Sequence, residues 1–147
     1  MSRFGAKRHV TCYWLFLLLF LASCGQSGPK TIRVSGTVKC NGEPVQSGIM
    51  IFSPLDEKKG AAEDIVFSKG AYKSLPNHGL KAGDYKVAVV AYKKTLQDVA
   101  PKDQEGYHKD KSNFAVPEKY MSVKTTDLKI SVSENDRKVT FDVNLTD

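Results

Sequence analysis

Alternation with a period of two over Thr31–Cys40 constrains the fold more than any other feature of this sequence. Ile32, Val34, Val38 and Cys40 share one phase with Gly36, and Arg33, Ser35, Thr37 and Lys39 occupy the other. Such a period places the two sets on opposite faces of an extended strand with one face buried. It recurs further on, where Tyr85, Val87, Val89 and Ala91 oppose Lys86, Ala88, Val90 and Tyr92. A helix, turning once in about 3.6 residues, would scatter either apolar set around its circumference. The chain must therefore build a sheet.

Turn chemistry divides the rest into short runs. Asn41-Gly42 is a strong turn dipeptide, and Pro44, with no amide proton, ends the first strand. A second strand is expected over Gly48–Ser53 with Met50 and Phe52 as its core pair, although Ile49 and Ile51 make both faces apolar. Pro54 stops it, and Leu55–Gly60 reads as a polar loop. Asp64–Ser68 reads as a strand directed inward either through Ile65 and Phe67 or through Val66, and Gly70 turns it back into Ala71–Leu75. Pro76-Asn77-His78-Gly79 and Gly83-Asp84 flank the next turn. Leu128, Ile130 and Val132 precede an Asn135-Asp136 turn, and Val139, Phe141, Val143 and Leu145 follow it, which predicts a C-terminal hairpin. Seven runs without a 3.6-residue period predict an all-β, about seven-stranded antiparallel sandwich.

The N-terminus carries a separate signal. Arg3, Lys7, Arg8 and His9, with no acid, precede an apolar run from Val10 to Ala22. As a helix that run covers only about 20 Å, short of a bilayer core of roughly 30 Å, so it reads as a cleaved signal peptide and not as a permanent span. Leu21-Ala22-Ser23-Cys24 resembles the bacterial lipobox. The resemblance implies cleavage between Ser23 and Cys24, a diacylglyceryl thioether on Cys24 and anchoring to a membrane. Two or three acyl chains hold a protein there stably. Gly25 instead of Asp after that cysteine points to the outer membrane. The expected organisation is thus residues 1–23 signal peptide, 24–29 flexible tether and 30–147 one domain.

Charge and cysteine counts follow from that division. Arg3, Lys7 and Arg8 leave with the signal, so 22 basic residues fall to 19 against 16 acidic ones, a net +3. Lysines interspersed with acids, on an exported chain, argue against nucleic acid as a partner. Cys12 leaves with the signal and Cys24 takes the lipid, so Cys40 remains without an intradomain disulfide partner and is expected to be buried on its apolar phase.

After Lys93 the alternation breaks down for about thirty residues. A stretch of that length marks a functional loop, local disorder or an element that pattern reading misses. The segment Lys94–Ser122 is the candidate recognition loop, with Tyr107, Phe114 and Tyr120 either contacting a ligand or pinning the loop to the sheet. His108 beside Asp110, and His78 in a turn, show no triad spacing. Asp98, Asp103, Glu105, His108 and Asp110 fit neither EF-hand nor zinc patterns, so no metal, cofactor or catalytic residue is assigned. Trp14, the only tryptophan, leaves with the signal, which disfavours glycan stacking.

Val34-Ser35-Gly36-Thr37-Val38, Asn41-Gly42-Glu43-Pro44-Val45 and Gly48–Phe52 are similar to the opening of carboxypeptidase regulatory-like domains. Gly70-Ala71-Tyr72, Gly83-Asp84-Tyr85-Lys86-Val87 and Pro117-Glu118-Lys119-Tyr120 continue the likeness and resemble the form found in small bacterial lipoproteins. The resemblance implies a transthyretin-like or prealbumin-like sandwich and no catalysis, hence a structural or binding role toward an envelope protein or polysaccharide. The related hydrolases of urate breakdown end in Tyr-Arg-Gly-Ser, whereas this chain ends Asn144-Leu145-Thr146-Asp147. Collagen-adhesin B-type domains join a first-strand lysine to a last-strand asparagine. Lys39 and Asn144 invite that comparison, but both fall on polar phases, where the lysine stays protonated.

Overall fold

The computed structural model describes residues 30–146 apart from Glu57, Lys59, Asn77 and Thr95. The expected signal peptide, Ser23, Cys24, the tether, Asn77 of the predicted turn, and Glu57 and Lys59 of the polar loop lie outside the described residues. Among those described there is no α-helix, and no helix long and apolar enough to cross a membrane. The chain is all-β.

Among the described residues nine strands form: β1 Arg33–Cys40, β2 Glu43–Pro44, β3 Ser47–Pro54, β4 Glu63–Ser68, β5 Ala71–Lys73, β6 Gly83–Val90, β7 Lys129–Val132, β8 Lys138–Thr140 and β9 Val143–Leu145. They follow one path, β2-β1-β5-β4-β3-β6-β7, with β8 and β9 on the other side of β1. All seven predicted runs are present. The two additional strands are the two-residue β2 and the piece created where the last run divides at Phe141-Asp142. Asn41 and Gly42, at φ 51° and 87°, turn β1 directly into β2, and Lys69-Gly70, at φ 51° and 71°, joins β4 to β5. Positive φ at both central residues is what two-residue hairpins require.

The expected C-terminal hairpin does not form. Ser133–Asp136 does turn, closed by Asp136 N–H on the Ser133 carbonyl. The strands on either side then part: β7 pairs antiparallel with β6, whereas β8 and β9 pair parallel with β1. Alternation fixes which face of a strand is buried but not which neighbour it takes, and here the neighbours lie at opposite ends of the path. In a flat sheet β7 and β8 would be six strand spacings, about 29 Å, apart. The link from Val132 to Lys138 reaches at most about 21 Å fully extended, and it contains a turn. The sheet must therefore curl until its ends approach each other.

The core lies inside that curl. Ile32, Val34 and Val38 meet Met50 and Phe52 from β3, Phe67 from β4, Tyr72 from β5, Val87 and Val89 from β6, Ile130 and Val132 from β7, and Val143 and Leu145 from β9. Met50 and Phe52 are the fully buried pair, and β4 is directed inward through Ile65 and Phe67, leaving Val66 70% exposed. Cys40, expected to be buried, is only half-buried, because β1 reaches the end of the sheet there and turns.

Candidate functional site

Three adjoining grooves open at the end of the sheet where β1 and β6 finish. The largest, of roughly 700 Å³, lies between Val90 and Tyr92 on one side and Phe114, Lys119, Met121 and Thr125 on the other. A second, of roughly 290 Å³, runs from Cys40 past Phe114 to Pro117. The third, of roughly 380 Å³, joins Cys40, Glu43, Pro44 and Val45 to Tyr92 and Lys93. Tyr92, Phe114 and Cys40 are each shared by two of the three, so the grooves form one surface.

The segment that builds this surface is the one without alternation, and it is ordered by successive single turns of 3₁₀ helix: Leu96–Asp98, Pro101–Asp103, Tyr107–Lys109, Lys111–Asn113 and Glu118–Tyr120. Three of the five have a cause in their own first residues. Pro101 opens its turn with a pre-set φ, Gly106 enters the next at φ 86°, and Asp110 caps the one after by accepting the Ser112 N–H at 2.9 Å. Asn113 ties two turns together, its side-chain amide donating to the Tyr107 carbonyl at 3.0 Å. The chain then returns to β6. Lys93 N–H donates to the Asn113 carbonyl and Ala115 N–H to the Ala91 carbonyl, a short antiparallel bridge that prolongs the ladder beyond Val90.

Tyr92 is the hub. Its ring centroid lies 4.3 Å from His108, 5.7 Å from Phe114 and 6.2 Å from Tyr107, the first two edge-on. Aromatic pairs prefer such separations and tilts and add about 0.5–1.5 kcal/mol each beyond the area they bury. Pattern reading gives Tyr92 only the last outer-phase position of the run that contains β6. The usable signal is its place as the last alternating residue, an aromatic immediately before Lys93-Lys94 and the loss of pattern.

Of the three expected contacts, Phe114 borders two grooves, and Tyr107 is half-buried, its hydroxyl accepting the Lys94 N–H at 3.1 Å. Tyr120 is different. It is 5% exposed, belongs to the core and donates its hydroxyl to the Thr146 carbonyl at 3.1 Å, so it holds the segment to the sheet.

Polar chemistry at the surface is spent on structure. The Asp110 carboxyl is held below the usual carboxylate range by hydrogen bonds from the Ser112 amide and hydroxyl, with a smaller contribution from the Lys93 charge. Lys111 pairs with Glu118 at 2.7 Å, but both side chains are largely exposed and such pairs contribute about 0–1 kcal/mol. Among the described residues no three His, Cys, Asp or Glu side chains converge as a metal site, and no buried side-chain polar atom lacks a partner. Lys39 and Asn144 stand opposite each other in the β1–β9 register, both exposed, and the Asn144 side-chain oxygen accepts the Gly42 N–H at 2.9 Å.

Apolar surface continues outward from the grooves. Val66, Ile49 and Val90 are register partners across β4, β3 and β6, and Ile49 and Val66 are exposed on the outer face. The arrangement is a surface with aromatic and aliphatic walls and lysines at its rim. No protein-family model, curated protein or solved structure matches this chain.

Proposed function

We propose that this chain is a lipid-anchored protein of the bacterial cell envelope, held through Cys24 in the outer membrane, whose domain is a carboxypeptidase regulatory-like, transthyretin-like sandwich that works by structure or binding and not by catalysis. The observation that carries this reading is Leu21-Ala22-Ser23-Cys24, preceded by a basic and then an apolar run and followed at Lys30 by a self-contained β-domain. Its binding surface is the Tyr92–Phe114 groove system, with an envelope protein or polysaccharide as the ligand.

The geometry of β1 supports that assignment. The tether enters before Arg33, and the grooves begin at Cys40, at the other end of the same strand. Ile32 to Cys40 spans roughly 25 Å of extended chain. A lipid at Cys24 would thus hold one end of the domain to the membrane while the grooves face away from it. A hydrolytic reading gains nothing from His108 and Asp110, since the first lies edge-on to Tyr92 and the second caps a turn.

Intact mass and membrane fractionation of the chain expressed with its own N-terminus, beside Cys24→Ala, test the proposal. Wild type should lose residues 1–23, gain lipid mass and sediment with membranes, and the variant should do none of these. Equal mass and solubility for the two would overturn it.

A further inference from the structure

The turn at the tip of β1 carries chemistry that this function does not use. A side-chain amide followed by glycine is open to attack from within the chain. The amide nitrogen of Gly42, giving up its proton to solvent base, can bond to Cγ of Asn41 while the Cγ–Nδ2 bond breaks and ammonia leaves. Water then opens the resulting five-membered imide at either carbonyl, to aspartate or to isoaspartate. The balance is one water consumed and one ammonia released, with no oxidant or cofactor. A Cβ at Gly42 would meet nothing within 4 Å, so the turn stands open to water.

The attacking nitrogen is nevertheless occupied. Gly42 N–H donates to the Asn144 side-chain oxygen at 2.9 Å, and the N–H of Asn41 donates to the Leu145 carbonyl at 2.8 Å. Both partners belong to β9, a three-residue strand near the C-terminal end of the chain. The positive φ of Asn41 and Gly42 belongs to the two-residue turn that joins β1 to β2.

We propose that Asn41 is a latent site of deamidation and that Asn144 is its guard, so that conversion proceeds only as fast as β9 releases the turn. The site matters to the grooves because Cys40, Glu43 and Pro44 flank it and line them. An isoaspartyl link inserts a methylene into the backbone of a two-residue turn and adds a negative charge beside that rim.

The test follows the Asn41 peptide of the full chain by mass spectrometry during incubation at mildly alkaline pH, in native buffer and in urea. Native wild type should convert several-fold more slowly than unfolded chain. Asn144→Ala should convert several-fold faster than wild type at an unchanged circular-dichroism spectrum. Asn144→Asp, whose carboxylate still accepts the Gly42 N–H, should stay close to wild type. Equal rates for native and urea-unfolded wild type would overturn the proposal without reference to any variant's folding, and so would an Asn144→Ala rate equal to wild type.

Discussion

The hydroxyl of Tyr72 donates to the carbonyl of Phe141 at 2.6 Å across a strand that lies between them. Tyr72 is on β5, Phe141 sits at the break between β8 and β9, and Gly36 of β1 is the register partner of Tyr72. The bond exists because Gly36 has no side chain: a Cβ there would fall 2.1 Å from the Phe141 oxygen and 3.1 Å from the Tyr72 ring. The break is bridged by a side chain as well, Asp142 accepting both the amide and the hydroxyl of Thr37 at 2.8 Å. Gly36→Ala should therefore cost about 3 kcal/mol or more, since backbone must move to admit the methyl. Tyr72→Phe, which only removes the hydroxyl, should cost about 1–2 kcal/mol. Urea denaturation of the two variants checks the order.

Tyr72 also makes stability depend on pH at the alkaline end. Burial, and then the Asp142 carboxylate, push its phenol well above the ordinary value. The unfolded chain releases that proton near pH 10 and the folded chain keeps it, so above about pH 10 the unfolded state binds fewer protons. The contribution is complete below about pH 10 and is lost progressively as pH rises beyond it. Thermal midpoints measured upward from pH 9 should fall, and the fall should be shallower in Tyr72→Phe. Tyr85, whose phenol is raised by burial, adds a second slope that Tyr85→Phe removes.

Strands were legible wherever one face is wet and the other dry, as in β1, β4 and β7, because a period of two states the burial of each residue directly. Even the undecided choice in β4 was between two phases and no others. Partners were not legible. Nothing in Val139, Val143 or Leu145 distinguishes pairing with β7 from pairing with β1, because that choice depends on how far the sheet curls. The grooves were half legible: loss of alternation after Lys93 marked the segment and named Phe114, but three-residue 3₁₀ turns carry no period from which to read their order. Tyr92 was hidden by directly following a good strand, and the choice for Tyr120 between touching a ligand and pinning the loop stayed open because the partner of its hydroxyl, the Thr146 carbonyl, lies beyond β9.

Two buried hydroxyls close strand ends that alternation leaves open. Ser74 accepts the Val34 N–H at 3.0 Å and returns its own N–H to the Val34 carbonyl, continuing β5 beyond Lys73. Thr126 donates to the Val87 carbonyl at 2.7 Å and accepts the Leu128 N–H at 3.2 Å. Both residues are buried, so removing either hydroxyl leaves a backbone group without a partner away from water. Thr126→Val and Ser74→Ala should each lower stability by about 1–3 kcal/mol, although each looks conservative. Thr126→Ser, which keeps the oxygen, should lose less than Thr126→Val. Chemical denaturation with an unchanged m-value is the measure.

The order of the groove segment should depend on Tyr92 more than on its ion pair. Tyr92 touches three rings, His108, Phe114 and Tyr107, that belong to the returning chain, whereas Lys111 and Glu118 meet in water. Tyr92→Ala removes every one of those contacts at once and leaves the buried side chains Tyr85, Val87 and Val89 of β6, and Ala91 just beyond it, untouched. Amide exchange should accelerate at Lys93, Lys94 and Ala115, whose N–H groups are bonded across this junction, while amides of β3 and β4 keep their protection. Lys111→Ala should leave exchange at all three unchanged. The opposite pattern would make the ion pair, and not the aromatic hub, the element that closes the segment onto the sheet, and the grooves would then have a rim that loosens with salt.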